Sequence, residues 1–255
     1  MIPKIIHYCW FGGKEKPDEV KMCMESWKKY CPDYEIKEWN ESNYNIEKIP
    51  YVKQAYEKKK YAFVSDYVRL DVIYNYGGIY LDTDVELIKS LDAFLDRAAF
   101  FGCELVGKVN TGVGFGAESK NRLIRENMDL YKDQNFIENG VINTTTCVEY
   151  TTSVFKRYGL KENLTVQQIK GGYIYPPEYF CPYSLETNKM NITPNTHAIH
   201  HYSATWKDGS EYKKYLDRTI LLPLKIKLKR RIDCICGEGT YRKLKKKIHK
   251  FCRKG

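Results

Sequence analysis

The sequence predicts an α/β fold in which a mainly parallel central sheet is flanked by helices. Two observations carry that reading. Short apolar, β-branched runs alternate with longer segments of helical periodicity along most of the chain, and two of these runs meet glycine pairs, at Gly12-Gly13 and Gly77-Gly78. With 255 residues, 43% of them hydrophobic, the chain can bury a substantial core, and one main domain is expected.

Ile2 to Trp10 is apolar and reads as a buried first strand. Pro17 to Tyr30 follows as a helix, with Val20, Met24 and Trp27 on one face and proline at its start. Tyr34 to Trp39 alternates as a strand. Tyr51 to Tyr76 is helical, as one helix or two, and ends at Gly77-Gly78. Ile79-Tyr80-Leu81 is a short strand running into Asp82-Thr83-Asp84, and Val85 to Ile88 is extended again. A short helix at 91–96, a strand at 99–104, a glycine-rich strand and loop at 108–117 and helices at 121–132 and 147–158 come next. The 171–182 stretch is aromatic and proline-rich, and 196–201 is the final strand.

The net charge of +10 is not spread evenly. Residues 221–255 hold 13 Lys/Arg against two acids, a surplus of +11, so the other 220 residues balance at −1. The expected division is therefore a body at 1–220 and a basic tail at 221–255. In the tail, Tyr241, Leu244, Ile248 and Phe251 share one helical face among lysines and arginines, the pattern of an amphipathic helix on an anionic membrane surface. A solvated helix packed on the body is the plainer reading. A nearly neutral body argues against nucleic acid as a partner. Nine cysteines without a Cys-x-x-Cys pair, no leader-like N-terminus and no long apolar run predict a reduced, cytoplasmic protein, peripheral on the membrane if the tail binds it.

The chemistry concentrates in one stretch. In an extended segment Asp82 and Asp84 point the same way, so both carboxylates can face one hard divalent cation, Mn²⁺ or Mg²⁺. A strand's carboxyl end is also where open α/β sheets bind nucleotides. Alone, Asp-x-Asp is a weak signal and more often a solvated turn. Upstream, Asp66 and Arg69 share a face of a helix whose neighbours Val64, Tyr67, Val68, Leu70, Val72 and Ile73 are apolar nearly all round. Buried charges need partners, and a sugar diphosphate would supply them.

The run from Tyr61 to Val85 resembles the DXD-containing sugar-transferase domain of glycosyltransferase family 32, and is similar to the glucosyltransferase domain of large clostridial toxins. Ile2 to Gly13 resembles that family's opening strand, and His200-His201-Tyr202-Ser203-Ala204-Thr205-Trp206 its closing motif. The resemblance implies a GT-A-like nucleotide-sugar-binding fold and a retaining, metal-dependent glycosyltransferase. Its expected role lies in surface or capsular polysaccharide synthesis. A UDP-sugar is the expected donor with a GDP-sugar as alternative, and the acceptor is a saccharide or a lipid-linked saccharide.

Carried over position by position, the resemblance assigns base stacking to Trp10, the transferred sugar to Asp66, sugar and phosphate to Arg69, and ribose, sugar and ion to Asp82. Asp84 becomes a direct metal ligand and Trp206 touches the leaving phosphate. Tyr8, Trp10, Ser65, Asp66, Arg69, Asp82, Asn110 and Trp206 make up the expected donor pocket. Asp66, Arg69, Asp82 and Trp206 are the expected catalytic group, and Asp82, Asp84 and His201 the metal set. His200 and His201 fall on opposite faces of a strand, and spacing to Trp206 favours His201. Asn110-Thr111-Gly112 reads as a lining of the sugar pocket and equally as a glycine-containing turn. Asn143 to Thr146 falls where the family carries an acceptor-side turn, but lacks its Gly-Pro. Two rival readings are a nucleotidyltransferase, whose phosphate loop is missing here, and a carbohydrate-binding protein without catalysis.

Overall fold

The computed structural model describes residues 1–184 and 189–202. The 221–255 tail and Ser203 to Trp206 lie outside the described residues.

Fourteen strands and five helices form the described chain. In order they are β1 (Ile5–Cys9), α1 (Asp18–Tyr30), β2 (Glu35–Trp39), α2 (Pro50–Glu57), α3 (Tyr61–Tyr76), β3 (Gly78–Tyr80), β4 (Val85–Leu87), β5 (Ala99–Leu105), β6 (Lys108–Val109), β7 (Phe115–Ala117), α4 (Arg122–Lys132), β8 (Ile137–Glu138), β9 (Val141–Ile142), α5 (Cys147–Arg157), β10 (Gln167–Ile169), β11 (Gly172–Tyr175), β12 (Tyr183–Ser184), β13 (Lys189–Met190) and β14 (Ala198–His200). The central sheet runs β10-β11-β5-β7-β3-β1-β2, with β6 added on β5. β2, β1, β3, β5 and β11 point one way; β7, β10 and β6 oppose them. The sheet is thus mixed but mainly parallel, as the alternation of elements predicts.

The 51–76 region resolves into two helices, broken at Lys59, whose φ of +56° is left-handed. From Val64 to Ile73 α3 is buried on every side, including Ser65, Asp66, Arg69 and Asp71. It ends at Gly77, and Gly78 has φ of +107° with His7 Nε2 only 2.8 Å from where a Cβ would stand. Only glycine fits that corner, which turns the chain from α3 into β3 and so aims the strand at Asp82. His7 itself is neutral. Trp39 Nε1–H donates to its Nδ1 at 3.0 Å, leaving Nε2–H to donate to the Gly77 carbonyl at 2.9 Å, and burial lowers its pKa to about 4.

Two apolar clusters cover the sheet's faces. One gathers α2, α3, α4 and α5 residues; the other packs Trp27 of α1 against Tyr8, Val85 and Leu87. Cys9, Cys23, Cys31, Cys103, Cys147 and Cys181 are free and buried. No helix among the described residues is long and apolar enough to cross a membrane.

Trp27 is fully buried and its Nε1–H donates to the Val85 carbonyl at 2.7 Å, fastening α1 to the strand that follows the acidic pair. Trp27→Phe keeps an aromatic ring but removes the pyrrole half of the indole, leaving that carbonyl without its donor and a small void beside it. The expected loss is about 1–3 kcal/mol in urea unfolding; an unchanged midpoint would show that water replaces the indole.

Candidate active site

Asp82 and Asp84 converge, though not through the pleat of a strand. The 82–85 segment is a turn closed by Val85 N–H donating to the Asp82 carbonyl at 3.0 Å. β3 delivers Asp82, whose backbone N–H donates to the Gly112 carbonyl at 2.9 Å, and β4 leaves directly from Asp84. The expectation of an extended Asp-Thr-Asp is corrected on this point. A turn at a strand's end brings both carboxylates to one point by folding the chain back.

β14 runs antiparallel to β4 with His200 opposite Val85. His200 Nε2 therefore lies 3.3 Å from Asp84 Oδ1. Asp82, Asp84 and His200 each place a ligand atom within 4.8 Å of the others. The alternation that separates the two histidines is observed, but the register selects the other face. His201 turns outward to Glu86, with Nε2 2.9 Å from Oε2, so of the expected set Asp82, Asp84 and His201 the structure brings Asp82 and Asp84 together, and the imidazole beside them is that of His200. Two carboxylates and one imidazole fit a borderline-hard divalent cation such as Mn²⁺ better than Mg²⁺, which prefers oxygen throughout. Burial opposes charge on His200, yet the Asp84 carboxylate overrides it and holds the imidazole's pKa well above its ordinary value. The cluster thus calls for positive charge.

Arg69 stands behind this group, 3% exposed. Its Nε–H donates to the Ser65 carbonyl and its Nη2–H to Ser65 Oγ, both at 3.0 Å. Nη2 also lies 3.1 Å from Asp82 Oδ1 and 3.3 Å from Asp66 Oδ1. The guanidinium rests over the Tyr80 ring at 4.8 Å, and the Tyr80 hydroxyl donates to Asp82 Oδ1 at 3.1 Å. Ser65, expected among the donor contacts, is thereby a support for Arg69. Asp66 receives the backbone N–H of Cys147 at the start of α5. Thr146 caps that helix in a reciprocal box with Glu149, which is the part Asn143 to Thr146 plays in the fold.

Asn110 joins the cluster through Gly112. Asn110 Oδ1 accepts from Gly112 N–H at 2.6 Å and from the Cys147 thiol at 3.7 Å. A Cβ on Gly112 would stand 2.0 Å from Asp82 Oδ2 and 2.9 Å from Arg69 Nη1. Gly112 is present for close approach, and Asn110-Thr111-Gly112 is both a turn and a wall of the site. Tyr8 and Trp10 form a separate group at the end of β1. The Tyr8 hydroxyl and Lys16 Nζ both donate to Glu38 Oε2, at 2.6 and 2.7 Å, and Lys16 lies 5.7 Å from each ring centroid. Trp10 is half-buried, its indole N–H held by the Lys14 carbonyl at 2.6 Å. Between them Cys9 faces the other side of the sheet and hydrogen-bonds Tyr80. Tyr80, Glu104 and Cys147 were not singled out from sequence as site residues, whereas Gly112 was, as part of Asn110-Thr111-Gly112. Of the three, only Tyr80 lies inside a segment that drew attention.

Two expectations follow from this packing. Gly112→Ala drives a methyl into the Asp82 carboxylate, which should cost about 1–3 kcal/mol of stability; urea unfolding measures it, and an unchanged midpoint would show that Asp82 has room to move. Burial, partly offset by Arg69, raises the Asp66 pKa from 3.8 to about 6. A carboxyl that holds its proton more tightly when folded loses stability as pH rises from about 4 to about 6, and the loss persists above. At about 1.4 kcal/mol per unit, Asp66→Asn should stabilise the metal-free protein by up to about 3 kcal/mol at pH 8 and hardly at all at pH 4. Urea midpoints in chelator at both pH values test this, and an equal gain at both would remove charge burial as the cause.

Residues 17–101 match the family described as the glycosyltransferase sugar-binding region containing the DXD motif. An uncharacterized glycosyltransferase of Acanthamoeba polyphaga mimivirus is 27% identical over 200 residues, spanning 72% of this chain and 78% of the viral protein. Inositol phosphoceramide mannosyltransferase 3 of Schizosaccharomyces pombe is 34% identical over 103 residues, which span 39% of this chain and only 29% of the yeast protein. Among solved structures, the PaToxG glycosyltransferase covers 61% of this chain and 69% of its own at 20% identity and a TM-score of 0.47. Over residues 17–101, a third of the chain that includes Asp82-Thr83-Asp84, the protein is thus similar to the sugar-binding region of DXD-containing glycosyltransferases.

Proposed function

We propose that the chain is a divalent-metal-dependent, retaining glycosyltransferase that uses a nucleoside-diphosphate sugar, with UDP the favoured nucleotide, and glycosylates a saccharide or lipid-linked saccharide. The observation that carries the metal dependence is the convergence of Asp82, Asp84 and His200 beside a buried arginine. These three residues would hold the ion. When bound, a divalent cation neutralises charge that gathers on the leaving diphosphate.

The chain's own residues supply the rest. Arg69 is fixed by Ser65 and the Tyr80 ring before any ligand arrives, and with Nη1 and Nη2 both on the Asp82 carboxylate it places a fixed positive charge behind the acidic pair. Asp66, oriented by Arg69 and the Cys147 amide, accepts from sugar hydroxyls. Trp10 offers an indole face to the base, with Lys16 and Glu38 as polar neighbours. UDP and retention rest on the resemblance in sequence. A lipid-linked acceptor agrees with the ceramide named in the yeast relatives and with the basic 221–255 tail.

The test is donor hydrolysis with Mn²⁺ across UDP- and GDP-sugars, with the first-formed anomer read by NMR. One donor should be hydrolysed with retention, and chelation or Asp84→Ala should lower the rate about a hundredfold or more. A folded Asp84→Ala protein with full turnover would overturn the site, and an inverted first product would overturn retention.

A further inference from the structure

Glu104 is the last residue but one of β5, at the same end of the sheet where β3 runs into Asp82 and β1 into Trp10. It is half-buried, and its Oε2 accepts from Asn110 Nδ2 at 2.9 Å. Asn110 cannot turn away, because Gly112 N–H and the Cys147 thiol hold its other end. No Lys or Arg among the described residues lies within ion-pair distance of Glu104, and Oε1 has no hydrogen-bond partner among them. Burial raises its pKa, and the Asn110 hydrogen bond with the charges of His200 and Lys108 draws it back only in part. Glu104 is therefore tied to the site through its wall: Asn110 donates to Glu104 and holds Gly112, which packs against the Asp82 carboxylate.

A residue needed only to hold Asn110 could be a glutamine, which accepts the same hydrogen bond and buries no charge. A carboxylate without a counter-ion is the costlier choice, unless it has donors to meet. Sugar hydroxyls are such donors. They are neutral, so they need no opposite charge, and they bond to a carboxylate more strongly than to an amide.

We propose that Glu104 is a substrate-binding residue whose Oε1 accepts a hydrogen bond from a saccharide hydroxyl at the reacting centre, selecting sugars by where that hydroxyl points. The proposal rests on the glycosyltransferase reading of the site. The hydroxyl belongs either to the transferred sugar or to the acceptor, and the two are separated by experiment.

The full chain is compared with Glu104→Gln and Glu104→Ala in Mn²⁺. In one arm, hydrolysis of the accepted UDP-sugar is measured beside the affinity for UDP alone. In the other, nucleotide release at fixed donor is measured with methyl α-mannoside, methyl α-glucoside or methyl β-galactoside added. A hydroxyl of the transferred sugar predicts a donor KM raised about tenfold or more in both variants, with UDP affinity unchanged. A hydroxyl of the acceptor predicts unchanged hydrolysis and loss of the stimulation that the glycoside gives to wild type. The proposal is overturned if the three proteins agree in every arm to which wild type responds. It is equally overturned if Glu104→Gln matches wild type while Glu104→Ala loses UDP affinity, since Glu104 would then only support Asn110. Failure of wild type both to hydrolyse a donor and to bind UDP with Mn²⁺ would sink the underlying reading instead.

Discussion

The Arg69 guanidinium is the charge around which the site is arranged. It is almost wholly removed from water, and a buried arginine keeps its proton, so its surroundings must answer it with carboxylates. Asp66 comes from the turn of α3 before it and Asp82 from the end of β3, two elements that share no hydrogen-bonded ladder. Their joint approach to one guanidinium fixes the angle between helix and strand at the point where substrate chemistry is expected. The Tyr80 ring beneath Arg69 and its hydroxyl on Asp82 make the same strand serve the arrangement twice.

That demand explains the glycines. The strand and the loop that face Arg69 must come close enough to leave no gap, and at Gly112 they come so close that a single methyl has no space. Gly78 does the corresponding work at the other end of β3, where His7 occupies the volume a side chain would need. Between the two, a strand of only three residues is held at both ends by backbone that cannot carry a Cβ. Precision in placing Asp82 comes from contact on all sides, as in any close-packed interior.

The sequence allowed some of this to be read and hid the rest for identifiable reasons. Asp66 and Arg69 stood out because charges three apart in an apolar helix violate the expected burial pattern. The histidine pair was legible as two faces of one strand, but choosing the face depended on the pairing of β14 with β4, which no local pattern encodes. Asp82 and Asp84 were rightly joined for the wrong local reason, since a turn and a strand can both bring residues i and i+2 together. Glu104 and Cys147 carried no signal: one is the last residue but one of an ordinary strand and the other begins an ordinary helix. Their importance appears only when β5 and α5 meet over Asn110.

The charges of the site do not balance by themselves. Asp66, Asp82, Asp84 and Glu104 face Arg69 and a single histidine, and burial raises the pKa of Asp66, Asp82 and Glu104. Such an arrangement is poor as a device for stability, because well-packed apolar residues of similar volume would serve the fold as well or better. It becomes reasonable if the folded chain is completed by something that brings positive charge to Asp82, Asp84 and His200 and hydroxyl donors to the remaining carboxylates. On the proposed reading the imbalance fits a ligand that is cationic at one end and rich in neutral hydrogen-bond donors at the other. A nucleotide sugar bound with its metal has that sequence of groups. Binding such a ligand would relieve the cost of holding four carboxylates together, so that affinity and folding stability would be linked at this one site.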